Sequence, residues 1–167
     1  MPKGPAARVT DNVSHPLPPV LQPGLGALTV WIGSKFAWRG LPLAAVAALQ
    51  AAKSAADATI QTAEAATKAA AGTPGAPAAL AAEQAAKAAA LASMSALITP
   101  AAGGGTDIHI CTTPTPVPPH GPGVVIDGSA TVMINNLPAC RMGDTLLEAI
   151  GPPNKIAAGC TSVVIGG

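Results

Sequence analysis

Three histidines and three cysteines are the residues of this chain best suited to chemistry. His109 and Cys111 stand two apart in Asp107-Ile108-His109-Ile110-Cys111, so on a strand both point to one face. His15 sits in Ser14-His15-Pro16, and His120 follows the Pro-rich stretch 114–119 and precedes Gly121. Three imidazoles and a thiolate suit a four-coordinate zinc, and a closed set of that kind is structural rather than catalytic. The expected ligands are His15, His109, His120 and Cys160, holding one zinc ion. Cys111 is the rival thiolate and could replace His109 or Cys160. Cys140 reads as a small packed side chain, since a buried free thiol behaves as a compact hydrophobe.

These residues must be positioned by the Gly-, Pro-, Val- and Ile-rich parts of the chain, and those parts hide a repeat. Gly26-Ala27-Leu28-Thr29-Val30-Trp31-Ile32-Gly33-Ser34 aligns with Gly128-Ser129-Ala130-Thr131-Val132-Met133-Ile134-Asn135-Asn136. Both align with Gly159-Cys160-Thr161-Ser162-Val163-Val164-Ile165-Gly166-Gly167. The alternation and β-branched content read as a strand ending in a tight turn. A second piece follows: Pro138-Ala139-Cys140-Arg141-Met142-Gly143-Asp144 after one copy and Phe36-Ala37-Trp38-Arg39 after another. The continuation missing after the last copy stands at the N-terminus as Pro5-Ala6-Ala7-Arg8-Val9-Thr10-Asp11. The pattern is circular, which predicts Gly167 near Gly4 and a body with approximate three-fold symmetry. Cys160 departs from its equivalents Ala27 and Ser129, a reason to count it as a ligand. Arg8, Arg39 and Arg141 recur once per copy, a pattern that suits bonding to turn carbonyls, with contact to a partner as the second role.

Pro5-Ala6-Ala7-Arg8 spells the motif of the PAAR-repeat proteins, and residues 1–40 and 104–167 resemble that family. The resemblance implies a small three-fold pseudosymmetric β cone, hence a mainly β fold, with a metal held near its tip by His and Cys. It implies a spike-tip protein that caps a trimeric valine-glycine-repeat (VgrG-type) spike of a type VI secretion system, one copy per trimer. Exposed strand ends at the base would extend the strands of the spike. Such a protein is cytoplasmic before firing and exported through the secretion apparatus, touching a membrane only during puncture. The segment Ala6-Ala7-Arg8…Asp11…His15 is similar to the pre-PAAR segment of effector-linked members. The second copy departs from the motif, with Phe36-Ala37-Trp38-Arg39 and no Gly-Asp behind it.

The remaining block, 41–103, is about half Ala, the best helix former. The break Gly72-Thr73-Pro74-Gly75-Ala76-Pro77 divides it into an inserted α-helical hairpin. Lys53 with Asp57, Glu64 with Lys68 and Glu83 with Lys87 are spaced as i,i+4 ion pairs. Leu91, Met94, Leu97 and Ile98 form an apolar stripe that packs against the first helix or the β part. The hairpin could dock an effector or an adaptor. A membrane-active effector or delivery module, or the tip of a phage-like injection particle, is the alternative reading.

Composition narrows the classes further. The chain has 167 residues, two Trp, one Phe and no Tyr, and 10% charged residues against roughly 25% in an ordinary domain. A net charge of +1 leaves no footprint for nucleic acid. Met1 to Thr10 carries Lys3 and Arg8 with no apolar stretch behind them, unlike a signal peptide, so the odd cysteine count argues against a disulfide framework. No phosphate loop, HExxH, GxSxG or paired-carboxylate arrangement occurs, and the Asp residues sit in turn contexts, so an enzyme is not expected.

Overall fold

The computed structural model describes residues 3–15, 17, 19–114 and 118–166. Along the chain run β1 (Gly4–Ala6), β2 (Ala27–Ile32), β3 (Lys35–Ala37), α1 (Leu43–Ala70) and α2 (Ala76–Ala101), with a short 3-10 turn at Ala102–Gly104. There follow β4 (His109–Pro114), β5 (Pro119–Val125), β6 (Met133–Ile134), β7 (Leu137–Pro138), β8 (Thr145–Glu148), β9 (Asn154–Lys155) and β10 (Cys160–Ile165).

The three sequence copies become three antiparallel pairs, β2 with β3, β6 with β7 and β1 with β10. In the first two, Gly33-Ser34 and Asn135-Asn136 turn the chain with φ of 51°, 65°, 53° and 63°. Two consecutive positive φ values are the signature of the turn whose twist matches a tight hairpin, and Gly and Asn tolerate them. In the third pair Gly4 lies opposite Ile165, so the first and last strands are neighbours as the circular pattern requires; Gly167 itself is outside the described residues. Ile32, Ile134 and Ile165 are buried together with Ala6, Ala27, Ala37, Ala139 and Cys160.

Each pair leads into a shared ring. Ala7 N–H donates to the Cys140 carbonyl (2.9 Å), Trp38 N–H to Ala7 (2.9 Å) and Cys140 N–H to Trp38 (3.1 Å). The three bonds close on themselves. Just beyond, each copy fixes an Arg with an Asp: Asp11, Asp107 and Asp144 accept from the backbone N–H and the guanidinium of Arg8, Arg39 and Arg141. The carboxylate missing from the second copy is thus Asp107, delivered 68 residues after Arg39 rather than three. Arg39 Nη2 also donates to the Gly26 carbonyl and Arg141 Nη2 to that of Asp127, the turn-carbonyl role expected.

After the clamps, each unit sends out an arm and brings it back. β4, β5, β8 and β9 form a continuous antiparallel sheet, and single bridges Pro23 to His109, Asn12 to Val20 and Val13 to Ile156 complete a circuit of six segments. Trp38, Leu21, Val125, Cys140, Leu146 and Ile156 fill it at the level of the ring.

The helices run 28 and 26 residues, so helix and strand contribute comparably and the fold is mixed α/β, not mainly β. The insertion is simply long beside very short strands. Its root packs on the sheet: Val46, Leu49, Met94 and Ile98 meet Val124, Ile126, Leu147 and Ala149. Of the expected stripe, Met94 and Ile98 are buried and Leu91 partly so, while Leu97 is exposed. Lys53 pairs with Asp57 and Lys87 with Glu83, but Glu64 reaches across to Lys87 (2.8 Å) in place of the expected pairing with Lys68.

Asp107 accepts from four donors, the backbone N–H groups of Arg39 and Gly26 and Nε and Nη2 of the Arg39 guanidinium, while being buried itself. Replacing it with Ala orphans them, at roughly 1–3 kcal/mol for each unsatisfied buried group. Asp107→Ala is therefore expected to lower unfolding stability by about 3 kcal/mol in urea titration, with Asp107→Asn intermediate.

Candidate metal centre

His15, Cys111 and Glu148 each stand four residues after a clamped aspartate, Asp11, Asp107 and Asp144. Pseudo-equivalent positions of three arms therefore converge. His109, two residues before Cys111 on β4, points the same way, and its counterparts Val13 and Leu146 are core residues. The four side chains are all buried, and each offers a ligand atom such that all four atoms lie within 4.8 Å of one another. This group could hold a metal ion.

His15 Nε2 stands 2.9 Å from His109 Nε2 and 3.1 Å from Glu148 Oε1. Cys111 Sγ is 3.7 Å from His15 Nδ1 and 3.4 Å from the Leu17 carbonyl. Glu148 is oriented from behind: its Oε2 accepts from His120 Nδ1 (2.5 Å) and from the Asn154 amide (2.8 Å). That leaves Oε1, buried and without a hydrogen-bond partner, facing the two imidazoles. The single Nε2–H of His15 cannot serve both His109 and Glu148. A buried carboxylate oxygen that lacks a full hydrogen bond is costly, and a cation among these atoms offsets that cost.

The electrostatics agree. Burial pulls His109 down to about 4, helped by the adjacent His15, and lowers His15 as well, helped by His120. Both imidazoles are thus neutral at pH 7, the form of histidine that ligates a metal. Burial also raises the Cys111 thiol and the Glu148 carboxyl. A divalent ion reverses that penalty by favouring the thiolate and carboxylate, so binding releases protons.

The outcome for the expected ligands is uneven. His15 and His109 are in the group. Cys111, the rival thiolate, takes the place given to Cys160. Cys160 packs with Ala6, Ile32 and Ile165, its Sγ 3.2 Å from Ser162 Oγ. The reason is topological: Cys160 opens β10 opposite Ala6, beside the ring, whereas the candidate ligands lie on arms that leave the ring. His120 touches Glu148 rather than the ligand atoms, a partner that steers a ligand. Glu148 was missed, because attention to His and Cys passed over a carboxylate; the spacing from Asp144 was the signal that could have found it.

Against known protein families, curated proteins and solved structures, the chain has no significant match in any of the three comparisons. None of the helices is long and apolar enough to cross a membrane, among the described residues.

Cobalt(II) added to the purified chain is expected to bind at one equivalent with a thiolate-to-metal absorption band. Cys111→Ser should abolish the band and Cys160→Ser should leave it intact. His120→Ala, which leaves the second oxygen of Glu148 held by Asn154 alone, should weaken binding by roughly 10–100-fold, the usual effect of removing such a partner.

Proposed function

We propose that this chain is a spike-tip protein: one copy caps a trimeric VgrG-type spike of a type VI secretion system. The observation that carries the reading is the closed ring of backbone bonds among Ala7, Trp38 and Cys140. A single chain can match a three-fold partner if it offers three similar faces, and the ring with its three Arg–Asp clamps supplies them. At the same position of the three hairpins stand Trp31, Met133 and Val164, 63%, 53% and 62% exposed. Apolar side chains so exposed, once per unit, suit a partner with three matching sites. The hairpins stand on one side of the ring in the chain and the buried metal group on the arms beyond it, an order that suits a tip with its base at the hairpins.

The ion that fits best is zinc. Tetrahedral zinc with bonds of about 2.0–2.1 Å to nitrogen and oxygen sets ligand atoms ~3.3 Å apart, near the 2.9 and 3.1 Å between His15, His109 and Glu148. Two imidazoles, a thiolate and a carboxylate, all buried, make a closed structural site. It would pin three arm ends where no apolar core can form, stabilising a fold poor in large side chains.

Mixing the chain with its cognate trimeric spike and weighing the complex tests the capping function. One copy per trimer is expected, and no complex would overturn the proposal. Met133→Asp combined with Val164→Asp should weaken that complex about a hundredfold, equivalent to ~2.8 kcal/mol. Removal of zinc by a chelator should lower thermal stability, by about 4 kcal/mol where free zinc had stood at a thousand times Kd.

A further inference from the structure

The hairpin and the metal group share a boundary. Loop 149–153 joins β8, which carries Glu148, to β9, which carries Asn154. On one side this loop faces the site. Gly151, at φ 83°, lies so close to the His120 imidazole that a Cβ there would stand 2.7 Å from Nε2. On its other side the loop is gripped by the helices. Lys53 of α1, buried at 4% exposure, donates from Nζ to the Gly151 carbonyl (2.8 Å) while Asp57 neutralises it (2.5 Å). Ile150, next to Gly151, is buried against Ile60 of α1 and Ala90 of α2. A second grip holds the strand of His120: at Gly121 a Cβ would stand 2.3 Å from Leu91 Cδ1, so α2 rests directly on that backbone.

We propose that Lys53 is a positioning residue for the metal centre, and that the helical insertion clamps the site through it. Lys53 draws Gly151 onto the imidazole of His120; the imidazole, pressed from that side, keeps Nδ1 against Glu148 Oε2, and Glu148 keeps Oε1 toward His15 and His109. Leu91 on Gly121 holds the other flank of His120. A buried ammonium is costly unless paired, and Lys53 spends its charge on a backbone carbonyl of this one loop and on Asp57. Packing of the helix on the sheet needs no such group, since Val46, Leu49, Met94 and Ile98 already provide it. The clamp rests on the metal reading and adds to it a role for the insertion: ion retention depends on the hairpin being seated.

The test uses the full chain loaded with cobalt(II) and follows loss of the thiolate-to-metal band after a chelator is added. Lys53→Met is expected to release cobalt about tenfold faster than the wild type, the lower end of the roughly 10–100-fold range for groups that orient a ligand from behind. Lys53→Arg should restore slow release, and Lys68→Met, farther along the same helix, should leave it unchanged. The downfield imidazole N–H resonance of His120 should move in Lys53→Met, a change that a loss of stability alone does not produce. Leu91→Ala provides a second route, with accelerated release, should Lys53→Met fail to fold. Release at the wild-type rate from folded Lys53→Met or Leu91→Ala overturns the clamp while leaving the metal centre standing. A wild-type chain that takes up no cobalt overturns the metal centre, and the clamp with it.

Discussion

The ring of three hydrogen bonds among Ala7, Trp38 and Cys140 is the constraint on which the rest of this structure depends. It lets one chain, passing three times through the same place, build three equivalent units without a partner. The geometry admits little bulk: Ala6, Ala37 and Ala139 beside the ring are each fully buried. Around it, Arg8, Arg39 and Arg141 bond to Asp11, Asp107 and Asp144. A buried guanidinium and carboxylate so matched repay their desolvation through several directed bonds at once. Because the clamp asks only that the Asp reach the Arg, it tolerates what lies between them, which is how 67 residues can stand between Arg39 and Asp107, where the other copies have two, without opening the ring.

Symmetry at the ring is traded for chemistry farther along the arms. The fourth residue after each clamped aspartate comes to one place, and the chain puts His15, Cys111 and Glu148 there, three different groups that could ligate a metal on one frame. Small positions four residues beyond a rigid clamp carry little uncertainty in direction, so the frame preorganises ligand atoms that short strands alone would leave loose. Proteins with one hydrophobic core usually spread such duties over large side chains. Here the apolar residues are split among several small clusters.

Much of this was legible in the residues themselves. The repeat and its circular order foretold the neighbouring terminal strands, the two turns at Gly33-Ser34 and Asn135-Asn136, and the recurrent arginines, because strand alternation and turn residues are local signals. The hairpin, too, could be read from its alanines and its break. Its orientation could not. Glu64 pairs with Lys87 on the other helix because antiparallel packing brings them together, a contact that i,i+4 spacing along one helix does not reveal. Cys160 misled for a related reason: a residue unusual at its repeat position was read as a ligand, but its place before the ring commits it to the apolar cluster there. Glu148 was hidden because its meaning lies in register with His15 and Cys111, and that register counts from Asp107, whose membership in the repeat is masked by the insertion.

The uneven distribution of polar groups follows from the same geometry. Where three units converge, His15, His109, Cys111 and Glu148 fill the space between the arms, and the backbone groups already pair in the circuit of strands. A cluster of neutral imidazoles with a carboxylate whose one oxygen lacks a partner would be a poor filling by itself. Combined with a single cation it becomes a compact one, since a small ion satisfies four ligands from a volume that no side chain could share among three arms. The requirement then passes outward: Glu148 must be held, so His120 and Asn154 hold it, and the loop over His120 must be held, so a buried lysine from the insertion does. An element that reads as an appendage in the sequence is thereby tied to the part of the fold with the least core of its own.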